Sequence, residues 1–159
     1  KHAQTTALLL ALTNAPAHEA LWPAGRSAQP AFEASYPARR SEAAEIRGAV
    51  ADVARAYGAD ERAQAKIKLG VSEAASNAVL HAYRDGLPVG EIHVLVDHFQ
   101  SSLCVSVLDR GVGMSPRIDS PGVGLGLSLM ATVSESCEIK SPASGGTEVV
   151  MRFDLGCDA

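Results

Sequence analysis

The order in which helical and strand-like hydrophobic patterns follow one another constrains the fold of this chain most. Apolar residues recur at helical spacing in three segments, residues 42–57, 60–83 and 123–133. Apolar and polar residues alternate in five others, residues 31–36, 91–98, 103–108, 136–140 and 147–154. Most of these strands follow one another directly and can pair as neighbours. We therefore predict an α+β fold, a two-layer α/β sandwich with a mixed sheet and its helices on one face.

Capping residues mark the ends of the first two predicted helices. Ser41 is typical of a helix N-cap, and Gly58 is typical of the position just past a helix end. Asp60 is the expected cap of the second helix. Gly70 falls inside that helix, where glycine costs about 1 kcal/mol relative to alanine. A close approach of the helix to the sheet would explain its presence.

Length and charge exclude several classes of protein. The chain has 159 residues and a net charge of −4, which suits one domain with a sizeable core. Basic residues are scattered, with Arg39–Arg40 the only adjacent pair, and aromatic residues are few. We therefore expect no direct contact with nucleic acid. The apolar run at residues 7–12 is far too short to cross a bilayer, so we expect no membrane association.

The first 30 residues differ in character from the rest. Lys1, the apolar run at residues 7–12 and the small residues that follow it mimic a secretory signal. However, the run is shorter than the usual hydrophobic region of such a signal. We interpret residues 1–30 as a leader or linker, or as the remnant of a preceding segment, and we expect residues 31–156 to form the domain.

The cysteines point to a reducing compartment. Cys104, Cys137 and Cys157 are widely separated and odd in number, and no two of them form a CxxC pair. This pattern predicts neither a disulfide framework nor a zinc site. We therefore interpret them as reduced thiols of a cytoplasmic protein, with Cys104 placed in a strand as ordinary packing.

The second predicted helix carries a carboxylate and an amide four residues apart. Glu73 and Asn77 therefore share one helix face and can converge on one ligand. The amide oxygen of Asn77 is a hard ligand of the kind that Mg²⁺ accepts beside phosphate oxygens. Glu73 could orient or deprotonate a hydroxyl group. The same spacing is common on solvated helix surfaces, so the pair alone leaves both interpretations open.

Asp109 ends a strongly apolar strand and is followed by Gly111 and Gly113. Asp-x-Gly is ordinary turn chemistry, which is one interpretation of this site. In the other, the carboxylate accepts a hydrogen bond from an adenine amino group, and the glycines let the backbone approach the base.

Alternating glycines precede the third predicted helix. Gly122, Gly124 and Gly126, with Leu125 between the last two, lead into the apolar run that follows. Free backbone N–H groups at a helix start bind phosphate, which the helix dipole also favours. The segment has neither the Gly-Lys-Ser/Thr of a P-loop nor a strict GxGxxG. A plain flexible hinge is the alternative.

Taken together in this order, the motifs resemble those of the GHKL ATPase superfamily, which includes gyrase, chaperone, histidine kinase and MutL-type ATP domains with the Bergerat fold. EAASNAVLHAY resembles its N-box, DRGVGM its first glycine box and GVGLGLSLM its second. SGGTEVVMRF resembles its terminal hairpin. The resemblance covers residues 32–155. The small size and the short connection between the glycine boxes are similar to those of the anti-sigma factor serine/threonine kinases.

The resemblance implies ATP and Mg²⁺ as cofactors and a role for each matching residue. By position, Glu73 corresponds to the catalytic base, Asn77 to the Mg²⁺ ligand and Asp109 to the carboxylate that reads adenine. Thr147 corresponds to a hydroxyl that supports this carboxylate. The backbone that shapes the site and its lid corresponds to Gly111, Gly113, Gly122, Gly124, Leu125 and Gly126.

The function implied by the resemblance is a kinase of bacterial partner switching. Such a protein phosphorylates a serine or threonine of an anti-sigma factor antagonist and also binds a sigma factor. One alternative is the catalytic domain of a sensor histidine kinase, although residues 1–30 contain no His-Glu phosphoacceptor context. Another is a nucleotide-gated binding module without transfer. Whether the chain forms a homodimer stays open.

Overall fold

The computed structural model describes residues 29–82, 89–111 and 123–156 of the chain. The predicted leader at 1–30 lies outside them except for its last two residues. Gly113 and Gly122 also lie outside them, as does the side chain of Leu125. The helices are α1 (Glu42–Ala56), α2 (Glu61–Ala82) and α3 (Val123–Val133). The strands are β1 (Phe32–Pro37), β2 (Glu91–Phe99), β3 (Ser102–Asp109), β4 (Ser136–Lys140) and β5 (Thr147–Asp154).

The five strands form one sheet in the order β1-β2-β3-β5-β4. All four pairs of neighbours among the described strands are antiparallel. The expectation of a mixed sheet was therefore wrong in this respect, although the α/β sandwich is confirmed. The reason is the position of β5. Strands β3 and β4, which precede and follow α3 in the sequence, run in the same direction. They do not pair with each other, because β5 lies between them and pairs antiparallel with both.

The three helices lie on one face of the sheet, as predicted. Strand positions that face them alternate with positions that face away, as the pleat requires. The core between the two layers is formed by buried side chains from α1, α2 and every second position of the central strands, among them Ile46, Val50, Ile67, Val71, Val94, Val105, Val107, Met151 and Phe153. No helix in the described residues is both long and apolar enough to cross a membrane.

The helix boundaries follow the predicted capping residues. Ser41 occupies the N-cap position of α1, although its side chain makes no capping hydrogen bond. Gly58 follows α1 with a φ of +86°, which the left-handed conformation past a helix end requires. The backbone N–H of Ala63 donates to Asp60 Oδ1 at 2.6 Å. Asp60 therefore caps α2 through its carboxylate.

Gly70 lies where α2 comes closest to the sheet. A Cβ at this position would lie 3.0 Å from Phe153 Cζ, 3.2 Å from Met151 Sδ and 3.3 Å from Val133 Cγ2. A side chain at this position would therefore crowd the side chains of Phe153, Met151 and Val133. This contact confirms the explanation expected for a glycine inside a helix.

Candidate nucleotide-binding site

The candidate site begins where α3 packs along one side of α2. Ala74, Ala75 and Ala78 turn into the core and fix the rotation of α2. That rotation leaves Glu73 and Asn77 half-buried on a neighbouring face. Residues four apart lie one above the other on a helix, so the carboxylate and the amide form one polar edge. This confirms that Glu73 and Asn77 share a face.

Gly126 of α3 lies directly against this polar edge. A Cβ at Gly126 would lie 3.1 Å from Glu73 Oε2 and 3.4 Å from Asn77 Nδ2. Carbon atoms rarely approach other atoms this closely, so a side chain here would displace the carboxylate. Gly126 therefore brings the second glycine segment against the carboxylate–amide pair, and a side chain there would crowd the end of Glu73.

The start of α3 determines what the other glycines of this segment can do. The helix begins at Val123, so Gly124 and Leu125 belong to its first turn rather than to a preceding loop. Backbone N–H groups in the first turn of a helix have no partner within the helix. Such groups can bind phosphate, and the helix dipole assists them. Because Gly126 in the same helix lies against Glu73 and Asn77, a phosphate bound at this helix start would lie near both side chains.

A second part of the site lies at one end of β3 and β5. Asp109 and Thr147 are direct cross-strand partners, and the two residues are only 2% and 3% exposed. Both residues stand at positions that face the helices. Asp109 Oδ1 accepts a hydrogen bond from the Gly111 N–H at 2.9 Å, which shapes the turn after β3. The turn interpretation and the ligand interpretation of Asp109 are thus compatible, since a carboxylate has further acceptor sites.

Gly146 holds the loop before β5 against the end of β3. Its φ is +89°, and a Cβ would lie 1.9 Å from the Asp109 carbonyl oxygen and 2.8 Å from Arg110 Cα. No side chain fits at such distances. Sequence reasoning did not assign Gly146 to the site, although it belongs to the SGGT segment that was singled out. A pair of glycines directly before a strand is the feature that could have identified it.

The described residues thus form two groups. Glu73, Asn77 and Gly126 lie together at the α2–α3 contact, and Asp109, Gly111 and Thr147 lie together at the end of the sheet. Helix α2 packs on β3 and on β5, so it connects the two groups. Carboxylate and amide oxygens of the first group suit Mg²⁺ and phosphate, and the buried acceptor of the second suits an N–H donor of a base.

The metal chemistry of the site is consistent with a bound nucleotide. Within the described residues, no group of three or more His, Cys, Asp or Glu side chains could hold a metal ion by itself. Mg²⁺ commonly takes only one or two protein oxygens and completes its shell with phosphates and water. The oxygens of Asn77 and Glu73 fit that requirement.

Comparison with known protein families shows to which family the chain belongs. The sequence profile of the family described as "Histidine kinase-like ATPase domain" matches residues 36–153, which include every candidate site residue. The chain belongs to this family. The resemblance of its motifs to GHKL ATPases is thereby confirmed.

Relatives of this histidine kinase-like ATPase domain include anti-sigma F factors. The anti-sigma F factor of Caldanaerobacter subterraneus subsp. tengcongensis is 29% identical over 103 residues, which cover 58% of this chain and 71% of the relative. That of Pasteuria penetrans is 31% identical over 96 residues, which cover 54% of this chain and 64% of the relative. The aligned parts therefore span roughly two thirds of each relative.

Solved structures of similar proteins agree with the fold. The structure of the RsbU and RsbW domains of a Mycobacterium tuberculosis protein matches with a TM-score of 0.62 and 25% identity. The match covers 78% of this chain and only 31% of that longer protein. The histidine kinase domain of a blue-light activated kinase from Erythrobacter litoralis matches with a TM-score of 0.50 and 21% identity, which indicates a shared fold alone.

Proposed function

We propose that this histidine kinase-like ATPase domain is a cytoplasmic, ATP-dependent serine/threonine protein kinase and anti-sigma factor. In this proposal it phosphorylates an anti-sigma factor antagonist and binds a sigma factor, as in bacterial partner switching. The observation that carries the proposal is the close approach of Gly126 to Glu73 and Asn77. It supports a phosphate site with a base and a metal ligand beside it. The anti-sigma F factors among its relatives support the choice of partners.

Each of the grouped residues has a definite task in this reaction. Asp109 would accept a hydrogen bond from the adenine amino group, and Thr147 beside it would support the carboxylate. Asn77 would hold Mg²⁺ through its amide oxygen. Bound Mg²⁺ supplies neutralisation of the phosphate charge. The first turn of α3 would orient the terminal phosphate through its N–H groups.

Glu73 would act on the hydroxyl of the partner protein. Its carboxylate accepts the hydroxyl proton while the hydroxyl oxygen forms a bond to the γ-phosphorus of ATP. The bond from that phosphorus to the oxygen between the β- and γ-phosphates would break, and ADP would leave with the electron pair on that oxygen. Most of the rate enhancement comes from positioning and charge neutralisation in this class of reaction, with the base adding about 10²–10⁴-fold.

A cavity on the C-terminal half of α2 suits the approach of a partner protein. It has a volume of about 300 Å³ and is lined by Arg40, Ala43, Ser76, Val79 and Leu80. Ser76 and Leu80 follow Glu73 at spacings of three and seven, so they continue the same side of α2. Leu80 is 60% exposed. A basic side chain and an exposed leucine at this cavity would suit an acceptor segment with acidic and apolar residues.

Replacement of Glu73 tests the proposal. For Glu73→Gln we expect phosphotransfer to the antagonist to fall about 100-fold or more, with Mg·ATP affinity within a few-fold of the wild type. Glu61→Gln, in the exposed first turn of the same helix, is the matched control and should change neither quantity. Affinity is measured by calorimetry and transfer by radiolabel. Transfer at the wild-type rate in Glu73→Gln would refute the assignment of the base.

A sensor histidine kinase is the second candidate, supported by the description of the matching family as a histidine kinase-like ATPase domain. The two functions differ in the chemical stability of the product. Phosphohistidine is lost in acid, whereas phosphoserine and phosphothreonine survive it. An acid-stable phosphoprotein product supports the proposed kinase, and an acid-labile one supports the histidine kinase.

A further inference from the structure

Helix α2 carries a second row of residues besides those that it turns into the core. They follow one another at alternating spacings of four and three, which places them on one side of the helix. We call this row the α2 seam: Arg62, Lys66, Leu69, Glu73, Ser76 and Leu80. Glu73 is half-buried, and the other members of the seam are exposed. The seam is therefore a continuous strip of surface that includes the proposed base.

Two exposed leucines give the seam an apolar character on both sides of the base. Leu69 is 42% exposed and Leu80 is 60% exposed. A single exposed leucine is ordinary, but these two lie on one row, four residues before Glu73 and seven after it. Leu80 also borders the cavity of about 300 Å³, whose lining includes Ala43 and Val79. The seam thus offers a partner two apolar contacts, the second of them beside a space for a large side chain.

The charges of the seam select the kind of partner. Arg62 and Lys66 occupy its first two positions, and Arg40 lines the cavity at its other end. Glu73 between them is the one acidic residue of the seam. The chain as a whole has a net charge of −4, so this excess of positive charge is local. It attracts a partner with acidic side chains, and such complementarity favours encounter and fixes register.

The seam lies on the side of Glu73 that faces away from the proposed phosphate site. On a helix, the residues three and four positions ahead lie on opposite sides of a given residue. Asn77, four positions ahead, is half-buried next to Gly126, whereas Ser76, three positions ahead, is exposed. Glu73 therefore has the proposed phosphate site on one side and the exposed seam on the other. A general base must lie within reach of the hydroxyl whose proton it takes, and a partner on the seam meets that need.

We propose that the α2 seam is the docking surface for the phosphoacceptor protein and that it binds an acidic, amphipathic helix of that protein. The identity of this partner rests on the proposed function. Apolar side chains at spacings of three and four on the docked helix contact Leu69 and enter the cavity beside Leu80. Its acidic side chains lie next to Arg62 and Lys66. The seam is about 27 Å long, so a helix of about five turns covers it.

A second copy of the chain is a poor occupant of the seam. In an antiparallel pair of α2 helices centred on the seam, Leu69 of one copy would lie beside Glu73 of the other and remove a carboxylate from water. In a parallel pair, Arg62 and Lys66 would lie beside the same cations of the other copy and repel them. An acidic helix, in contrast, is complementary to the cations and to the leucines together.

Binding of designed peptides to the full chain tests the proposal. The probe is a fluorescein-labelled helical peptide of about 20 residues, with leucines at spacings of three and four and with glutamate and alanine elsewhere. A second peptide has lysine in place of each glutamate. Fluorescence anisotropy should show that the acidic peptide binds at least about tenfold more tightly than the basic one, with a difference that shrinks at about 0.5 M salt. Equal affinities, or no binding of the acidic peptide, would overturn the proposal.

Substitutions on and off the seam locate the surface that binds the peptide. Leu69→Ala and Lys66→Glu should each weaken binding of the acidic peptide at least about tenfold. Lys68→Glu makes the same change of charge at an exposed position of α2 that lies off the seam, and it should change the affinity less than about twofold. Equal effects of Lys66→Glu and Lys68→Glu would rule out the seam as the docking surface.

Two further measurements separate this proposal from its neighbours. Sedimentation of the full chain without peptide should show no association that depends on Leu69. A dimer that Leu69→Ala abolishes would assign the seam to a second copy and overturn the proposal. The peptide assay contains no ATP, so its result is independent of whether the chain transfers phosphate. Mg·ATP affinity should be the same in Lys66→Glu and in the wild type, because Lys66 lies two turns of α2 before Glu73.

Discussion

Asp109 at the end of β3 and Thr147 at the start of β5 lie directly opposite each other, both buried, at the end of the sheet where the first glycine segment begins. A buried carboxylate beside a hydroxyl is costly unless it is hydrogen-bonded. The Gly111 N–H satisfies part of this need. A carboxylate beside a hydroxyl is the kind of pair that we propose for reading an amino group.

Asp109→Asn should weaken nucleotide binding without unfolding the domain. The amide oxygen can still accept from Gly111, whereas a neutral group binds the adenine amino group less well. A hydrogen bond to a charged group contributes about 1.5–3 kcal/mol, so the Kd for Mg·ATP should rise at least about tenfold. Asp154→Asn, at the exposed end of β5, is the control. Calorimetry that gave equal affinities for Asp109→Asn and wild type would contradict adenine reading.

Gly126→Ala should separate stability from activity. Alanine favours a helix over glycine by about 1 kcal/mol, so the free energy of unfolding should rise or stay unchanged. The new methyl group would nevertheless press on Glu73 Oε2, and phosphotransfer should fall by at least about tenfold, since misplacement of a catalytic group is costly.

Gly48→Ala is the matched control for that experiment, because a Cβ at this exposed position of α1 meets nothing within 4 Å. It should gain stability and keep full activity. Urea denaturation and a transfer assay measure the two quantities in parallel. Full activity in Gly126→Ala would show that the space beside Glu73 is not needed.

Gly70→Ala should destabilise the domain even though alanine is the better helix former. The added methyl group meets Phe153, Met151 and Val133, and overpacking of a core costs about 1–3 kcal/mol. The free energy of unfolding of Gly70→Ala should therefore be lower than that of Gly48→Ala by more than about 1 kcal/mol. If both variants gained equal stability, α2 would not approach the sheet as closely as described.

The glycine pair before β5 offers a comparison of two neighbouring residues. Gly145 and Gly146 both have positive φ, but a Cβ at Gly145 meets nothing within 4 Å. Gly145→Ala should cost about 1–2 kcal/mol for its left-handed conformation and leave nucleotide affinity intact. Gly146→Ala should cost more and weaken Mg·ATP binding, because the end of β3 with Asp109 must move. Equal effects of the two substitutions on affinity would exclude a role for the Gly146 contact.

Local features of the sequence were sufficient to predict most elements. Helical spacing and the cap at Asp60 place α2, since both depend on residues close in sequence. The shared face of Glu73 and Asn77 follows from helix geometry alone. Asp109 is likewise a candidate on local grounds, because a carboxylate that ends an apolar strand and precedes a glycine-rich turn stands out in the chain.

Contacts between distant segments could not be predicted in this way. The approach of Gly126 to Glu73 depends on how α3 packs against α2, and the contact of Gly146 with Asp109 on how a hairpin joins β3. The antiparallel sheet was missed for the same reason. Nothing local to residues 147–154 shows that β5 inserts between β3 and β4 rather than at an edge.

The insertion of β5 has a consequence for the order in which the site is assembled. Thr147 reaches Asp109 only after β5 has paired with β3, and the two strands are separated by 37 residues between Asp109 and Thr147. Pairings between distant segments form late because loop closure opposes them. If the pair reads adenine as we propose, that competence is acquired with the last strand of the sheet. A partly folded chain with α2 already in place would hold Glu73 and Asn77 but could not yet recognise the base.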